Sequence, residues 1–150
     1  MATTLVLFLL LAVAFGSLVP VQTGSNATLV RFVGHPLYAA ATNTAVATLV
    51  LALVVVLMRL PAPTLRAAGN APWWAWLGGL YGATLVTSAL LLAPRLGATL
   101  YVAATLAGTV GMSMLVDHFG LMAFPSQPIT GTRLLGVLLV VAGMLLIARR

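Results

Sequence analysis

Thr105, Thr109, Ser113 and Asp117 recur at every fourth residue. Wound into an α-helix, that spacing puts four polar side chains on one slowly drifting stripe. Asp117 is the sole acidic residue of the chain. A carboxylate at the centre of a membrane costs about 2.5–3.5 kcal/mol on insertion scales, so such a residue commonly marks a solute or proton pathway. Counted from Ala98, Asp117 lies roughly 29 Å along a helix, close to the ~30 Å thickness of the hydrocarbon layer. Two readings follow from that depth. Asp117 is a proton-coupling or transport carboxylate, or it is an interfacial residue near a helix C-terminus that pairs with Arg133 or His118. His118 points about 100° away from Asp117 on a helix. It is the second proton-coupling candidate, or a plain interfacial polar residue.

Other polar groups of the same character lie nearer the N-terminus. Gln22 and Asn26 share a face if their segment is helical, and Asn43 sits among Thr42, Thr44 and Thr48. Thr84, Thr87 and Ser88 follow. Uncharged polar groups line solute sites at the broken helices of transporters, and they also hydrogen-bond one span to another. Both roles stay open for Gln22, Asn26, Asn43, Thr105, Thr109 and Ser113, the candidates for substrate binding or a solute pathway. Catalysis is poorly supplied. The chain has no Glu, Lys or Cys, and no second carboxylate that could share acid–base work with Asp117. No enzyme activity, metal site or cofactor is expected, and the absence of cysteine excludes disulfides and thiolate ligands.

The elements that must position these residues are membrane spans. Hydrophobic residues make up 62% of 150, and charged residues only 5%, against roughly 25% charged in an ordinary soluble domain. Five long apolar runs fit, each near the ~20 residues a crossing needs. They cover about 4–21 with a continuation to 33, then 36–58, 72–92, 98–118 and 132–148. Gly16 and Pro20 predict a kink or unwinding late in the first run, which has no basic residue ahead of it and is not read as a cleaved leader. Pro94–Gly97 reads as a tight turn. Trp73, Trp74 and Trp76 cluster at one helix end as interfacial anchors. Gly78 and Gly82, Ala104 and Gly108, and Gly136 and Gly143 are spaced for close backbone approach, either within the chain or across a dimer.

Seven arginines fall in the gaps between runs. With the N-terminus inside, Arg59, Arg66 and Arg133 lie inside, and Arg31, Arg95, Arg149 and Arg150 outside. A Lys/Arg excess on the cytoplasmic side normally sets orientation, and this near-even split sets little. Dual insertion is expected, with two opposite copies pairing. An odd number of spans and no internal repeat point the same way, because the symmetric half of an inverted-repeat transporter must then come from a second chain. The arginines are scattered rather than clustered, which argues against nucleic-acid binding.

Ordered pieces along the whole chain resemble the YdcZ family of bacterial inner-membrane proteins, placed in the drug/metabolite transporter superfamily. They are Gln22–Ala27, Gly34–Pro36 with Asn43, Pro72–Gly82, Ala93–Gly97, Asp117–Gly120, Pro125–Pro128 and Arg133–Gly136. The resemblance implies five helices per chain, comparable to half of a ten-helix member, and a dimer as the working unit. The run carrying Gly136 and Gly143 is similar to the terminal dimerisation helix of small multidrug-resistance transporters. Two departures stand out. Met112 follows Gly111 where the pattern suggests glutamine, and the first run lacks the glutamate that multidrug exporters use for protons and cations.

The expectation is an all-α integral membrane protein of the bacterial inner membrane, one multi-pass domain over residues 1–150. It works as half of an antiparallel, dual-topology homodimer in the lipid bilayer. The dimer moves a small neutral, zwitterionic or amphipathic solute by alternating access. The rival expectation is a membrane scaffold or partner subunit with no solute path.

Overall fold

A computed structural model describes residues 2–64 and 68–149. Arg66 and Arg150, two of the seven arginines, lie outside the described residues. Every regular element among the described residues is helical, and five helical stretches are long and apolar enough to cross a membrane: Thr3–Val33, Pro36–Leu57, Trp73–Leu96, Ala98–Phe119 and Gly131–Ala148.

The first stretch comprises α1 (Ala2–Gly16) and α2 (Leu18–Val33). The interruption falls at Ser17. Pro20 has no N–H to continue the ladder to Gly16. Ser17 closes α1 instead, its N–H donating to the Val13 carbonyl at 2.9 Å and its hydroxyl to the Ala14 carbonyl at 2.7 Å. From Leu5 to Phe15, α1 exposes its large apolar side chains all round, the pattern of a helix solvated by lipid. Gly34 ends α2 with φ +81°, a backbone conformation that favours glycine. His35 then caps α3 (Pro36–Leu57) by accepting the Leu37 N–H at Nδ1, and Pro36 occupies the first turn.

The chain divides into two compact units, residues 21–94 and residues 1–20 with 95–150. The first unit has a small core of Ala39, Ala40 and Leu90, flanked by Leu29, Val30, Val33 and Val86. Two of its three central residues are alanine, so α2, α3 and the helix bearing Leu90 approach by shape rather than by burying bulk. That helix, α4 (Gly78–Leu96), is preceded by a short 3₁₀ turn over Trp73–Leu77. The expected turn at Pro94–Gly97 is corrected here. The helix continues through Pro94 to Leu96, and the chain turns at Gly97, φ +84°. Proline in a last turn removes a single hydrogen bond, the one to Leu90, which a helix end tolerates.

In the second unit α5 (Ala98–Phe119) and α6 (Gly131–Ala148) pack along each other. Gly120 ends α5 in the left-handed region, φ +60°. Its N–H donates to the Asp117 carbonyl at 3.2 Å, and the Leu121 N–H to the Val116 carbonyl at 3.0 Å, a Schellman ending. Thr130 opens α6, its hydroxyl accepting the Arg133 N–H.

Candidate functional site

The best-defined polar constellation is built where α5 ends and α6 begins. Arg133 Nη2 donates to Asp117 Oδ2 at 2.5 Å, and the two side chains are 32% and 26% exposed. Arg133 Nη1 donates to the Gln127 carbonyl at 3.1 Å, and the Gln127 N–H donates to the Asp117 carbonyl at 2.8 Å. Residues 117, 127 and 133 thus close a ring of three contacts around the loop. His118 completes it. Its Nδ1 accepts the Ile129 N–H at 3.3 Å and its carbonyl accepts the Ser126 hydroxyl at 3.2 Å. The ring sits edge-on to Phe119, with centroids 4.8 Å apart. Asp117 takes the pairing with Arg133, one of the two partners open to it from sequence.

Thr105 and Thr109 of the α5 stripe are satisfied locally. The Thr105 hydroxyl lies 3.0 Å from the carbonyls of both Tyr101 and Val102, and Thr109 donates to the Thr105 carbonyl at 2.7 Å. Thr105 is half-buried, whereas Thr109 and Ser113 are exposed. In the other unit, Gln22 is exposed on α2 while Asn26, one turn later, is 7% exposed beside the buried Thr23. Asn43 is half-buried on α3. Asp117 and His118 are thus brought to one junction; the amides lie on α2 and α3 of the other unit. Trp73, Trp74 and Trp76 are all exposed, at 75%, 41% and 66%, as an interfacial anchor requires.

The same unit holds an open groove of about 720 Å³, walled by Leu37, Thr44, Thr48 and Leu49 of α3 and by Ala83 and Thr87 of α4. The Thr44 hydroxyl donates to the Ala40 carbonyl at 3.0 Å, and that of Thr48 to the Thr44 carbonyl at 2.9 Å. Thr44, Thr48 and Thr87 were among the hydroxyls that could line a cavity from sequence; the apolar lining was not singled out, although Ala40, Thr44 and Thr48 are four apart, as are Ala41 and Ala45. The glycines spaced for close approach meet no neighbour beyond their own helix among the described residues. A Cβ added at Gly78, Gly82, Gly108, Gly136 or Gly143 has no neighbour within 4 Å.

Residues 7–146 match a family profile described as "Putative inner membrane exporter, YdcZ". The chain belongs to the YdcZ family. The match spans nearly all of the sequence, including both units and the Asp117–Arg133 junction. No curated protein and no solved structure matches the chain. Membership of the YdcZ family, with five stretches able to span a bilayer, makes this an inner-membrane protein of transporter-like character.

Proposed function

We propose that this YdcZ-family chain moves a small neutral, zwitterionic or amphipathic solute across the inner membrane by alternating access, as an antiparallel, dual-topology homodimer of the drug/metabolite transporter type. The family match over residues 7–146 carries the reading. The open space over two glycine positions of α6 supports the dimer. Gly136 and Gly143 lie seven residues apart with open space above each, room that a second helix would fill. Asn26, Gln22 and Asn43 are the uncharged groups for the solute, with Thr105, Thr109 and Ser113 along the path. Asp117 is the carboxylate available for coupling. A proton arriving there would free Arg133, whose guanidinium also holds the Gln127 carbonyl, so one protonation would loosen the loop between α5 and α6.

Flux into proteoliposomes tests the reading. Saturable uptake of a solute from a broad panel is expected, with a pH dependence that Asp117→Asn abolishes. If Asp117→Asn leaves flux and its pH dependence intact, the coupling role is lost. One observation favours the rival, a scaffold or partner subunit: Thr105 and Thr109 spend their hydroxyl protons on their own helix. Reconstituted protein that moves nothing across that panel, while holding a membrane partner, would replace the first reading with the second.

A further inference from the structure

The groove between α3 and α4 differs in chemistry from the polar candidates above. Its α3 wall runs from Leu37 to Leu49, about 18 Å along the helix axis. That is slightly more than half of the ~30 Å hydrocarbon layer, the depth of one leaflet. Leu37 is the second residue of α3, so the groove starts at the end of that span rather than midway along it. Two of its three threonines return their protons to α3 carbonyls. What they show a ligand is methyl and an already occupied hydroxyl, which asks for no hydrogen-bond donor or acceptor in return. Alanines at positions 40, 41, 45 and 83 keep the walls low.

A cation lies at the same end of the helix pair. Only Gly34 and His35 separate α2 from α3, so Arg31, in the last turn of α2, stands at the same end as Leu37. Arg31 is exposed. The single acidic side chain of the protein is engaged by Arg133, so no carboxylate side chain remains for Arg31.

We propose that this groove binds a long-chain carboxylate: a single linear alkyl chain lies along α3 between Leu37 and Leu49, with its head group at the Arg31 end. The inference deepens the transport reading, since it names the amphipathic class of solute, and it rests on that reading for its role. One cation at that end matches one negative charge, and a leaflet-deep apolar trough matches one extended chain.

The test is photolabelling of the full-length protein in phosphatidylcholine nanodiscs, with a palmitate analogue carrying a diazirine on its chain. Labelled peptides should map to residues 37–49 and 83–87, and excess palmitate should compete. Ala45→Phe and Ala41→Leu both fill the groove, and each should cut labelling by about tenfold through steric clash; helical circular dichroism and monodisperse elution identify which variants fold. Thr44→Val, which keeps the shape, should stay within about twofold, because its hydroxyl is not offered to the ligand. Arg31→Gln should weaken labelling by the acid by a few fold, with no change for the matching uncharged alcohol analogue. Equal labelling of all lipid-facing helices, indifferent to both filling variants, would overturn the proposal. So would loss of labelling when phosphatidylglycerol replaces phosphatidylcholine, which marks a bulk-lipid site. Dissociation of an oligomer by Ala45→Phe with labelling unchanged would assign the groove to a helix of a second copy. Labelling requires no flux. A labelled but transport-inactive protein keeps the site and loses the transport role, and transport of another solute with no labelling does the reverse.

Discussion

Asp117 stands in the last turn of α5 and Arg133 in the first turn of α6. Each charge is at the end of its helix where the macrodipole disfavours it. Alone, either would weaken its helix terminus; paired, each offsets the other's misplacement. The pair is partly exposed, which keeps the Coulomb gain modest, but Arg133 also donates to the Gln127 carbonyl. Hydrogen bonds to charged groups contribute about 1.5–3 kcal/mol each. Asp117→Asn and Arg133→Gln should therefore each lower unfolding stability in mixed micelles by about 1–3 kcal/mol. The double variant should lose less than the sum, because either single change already removes the whole of the shared ion pair. Additive losses would mean that the two side chains act independently. Gly120 gives a separate test at the same junction. Alanine there must hold φ +60° and place its Cβ 3.2 Å from Ser126 Cβ, while the left-handed conformation alone costs about 1–2 kcal/mol. Gly120→Ala should thus destabilise by roughly that amount or more. Gly108→Ala, with open space above it, should be neutral or slightly stabilising in a helix interior. Thermal unfolding of the two variants side by side decides this.

At the scale of elements, the spans were legible because apolar length is a direct physical requirement of the bilayer. The runs expected at 36–58, 98–118 and 132–148 differ by a residue or so from Pro36–Leu57, Ala98–Phe119 and Gly131–Ala148. Prolines account for the poorer boundaries. Pro20 shows in an interruption at Ser17, and Pro94 fails to stop α4 because it falls in a last turn that can spare a hydrogen bond. Side-chain fate was less legible. Gln22 and Asn26 are four apart, yet one is exposed and the other buried, and spacing alone does not rank two amides on one face. Asp117's choice of Arg133 over His118 depends on the loop at 120–130. There Met122 and Ala123 adopt positive φ without being Gly or Asn, a conformation that carries no residue signal. The glycines of α6 were ambiguous between packing within the chain and across a dimer, and the space above them now favours a test by bulk. Gly136→Leu with Gly143→Leu should leave the monomer's unfolding unchanged or raise it, since leucine is the better helix former by about 1 kcal/mol per site. The same pair should reduce cross-linked dimer in membranes several fold. Full dimer yield from the double variant would remove α6 from the interface.

Among the described residues of the two units, little apolar bulk is buried. The buried apolar residues are Ala39, Ala40, Ala89, Leu90, Ala93 and Tyr101, and no large side chain is fully buried among those described. Stability must come from surroundings that cover the exposed leucines and valines, namely lipid and, on the present proposal, a second copy. Which way up each copy inserts then decides whether an antiparallel pair can form. The positive-inside rule counts Lys and Arg and gives Asp little weight, so the ion pair at Arg133 does not remove that residue from the count, and the three-to-four split stands. Two added arginines should tip it. Ala62→Arg with Asn70→Arg adds both to the gap after α3, and Phe32→Arg with Ala148→Arg adds both to the opposite side. The chain has no cysteine, so one engineered cysteine at either terminus reports its side cleanly. The parent protein should label from outside at both termini, in separate molecules. Each biased variant should label at one terminus only, and the two variants at opposite ones. If the active unit is antiparallel, each biased variant alone should lose most of its cross-linked dimer and its flux, and co-expression of the two should restore both. Restoration by mixing is the discriminating result, because a variant damaged in folding is not rescued by an oppositely damaged one. Full activity of either biased variant alone would show that the working unit does not need opposed copies, and parent protein that labels at a single terminus would end the dual-topology proposal.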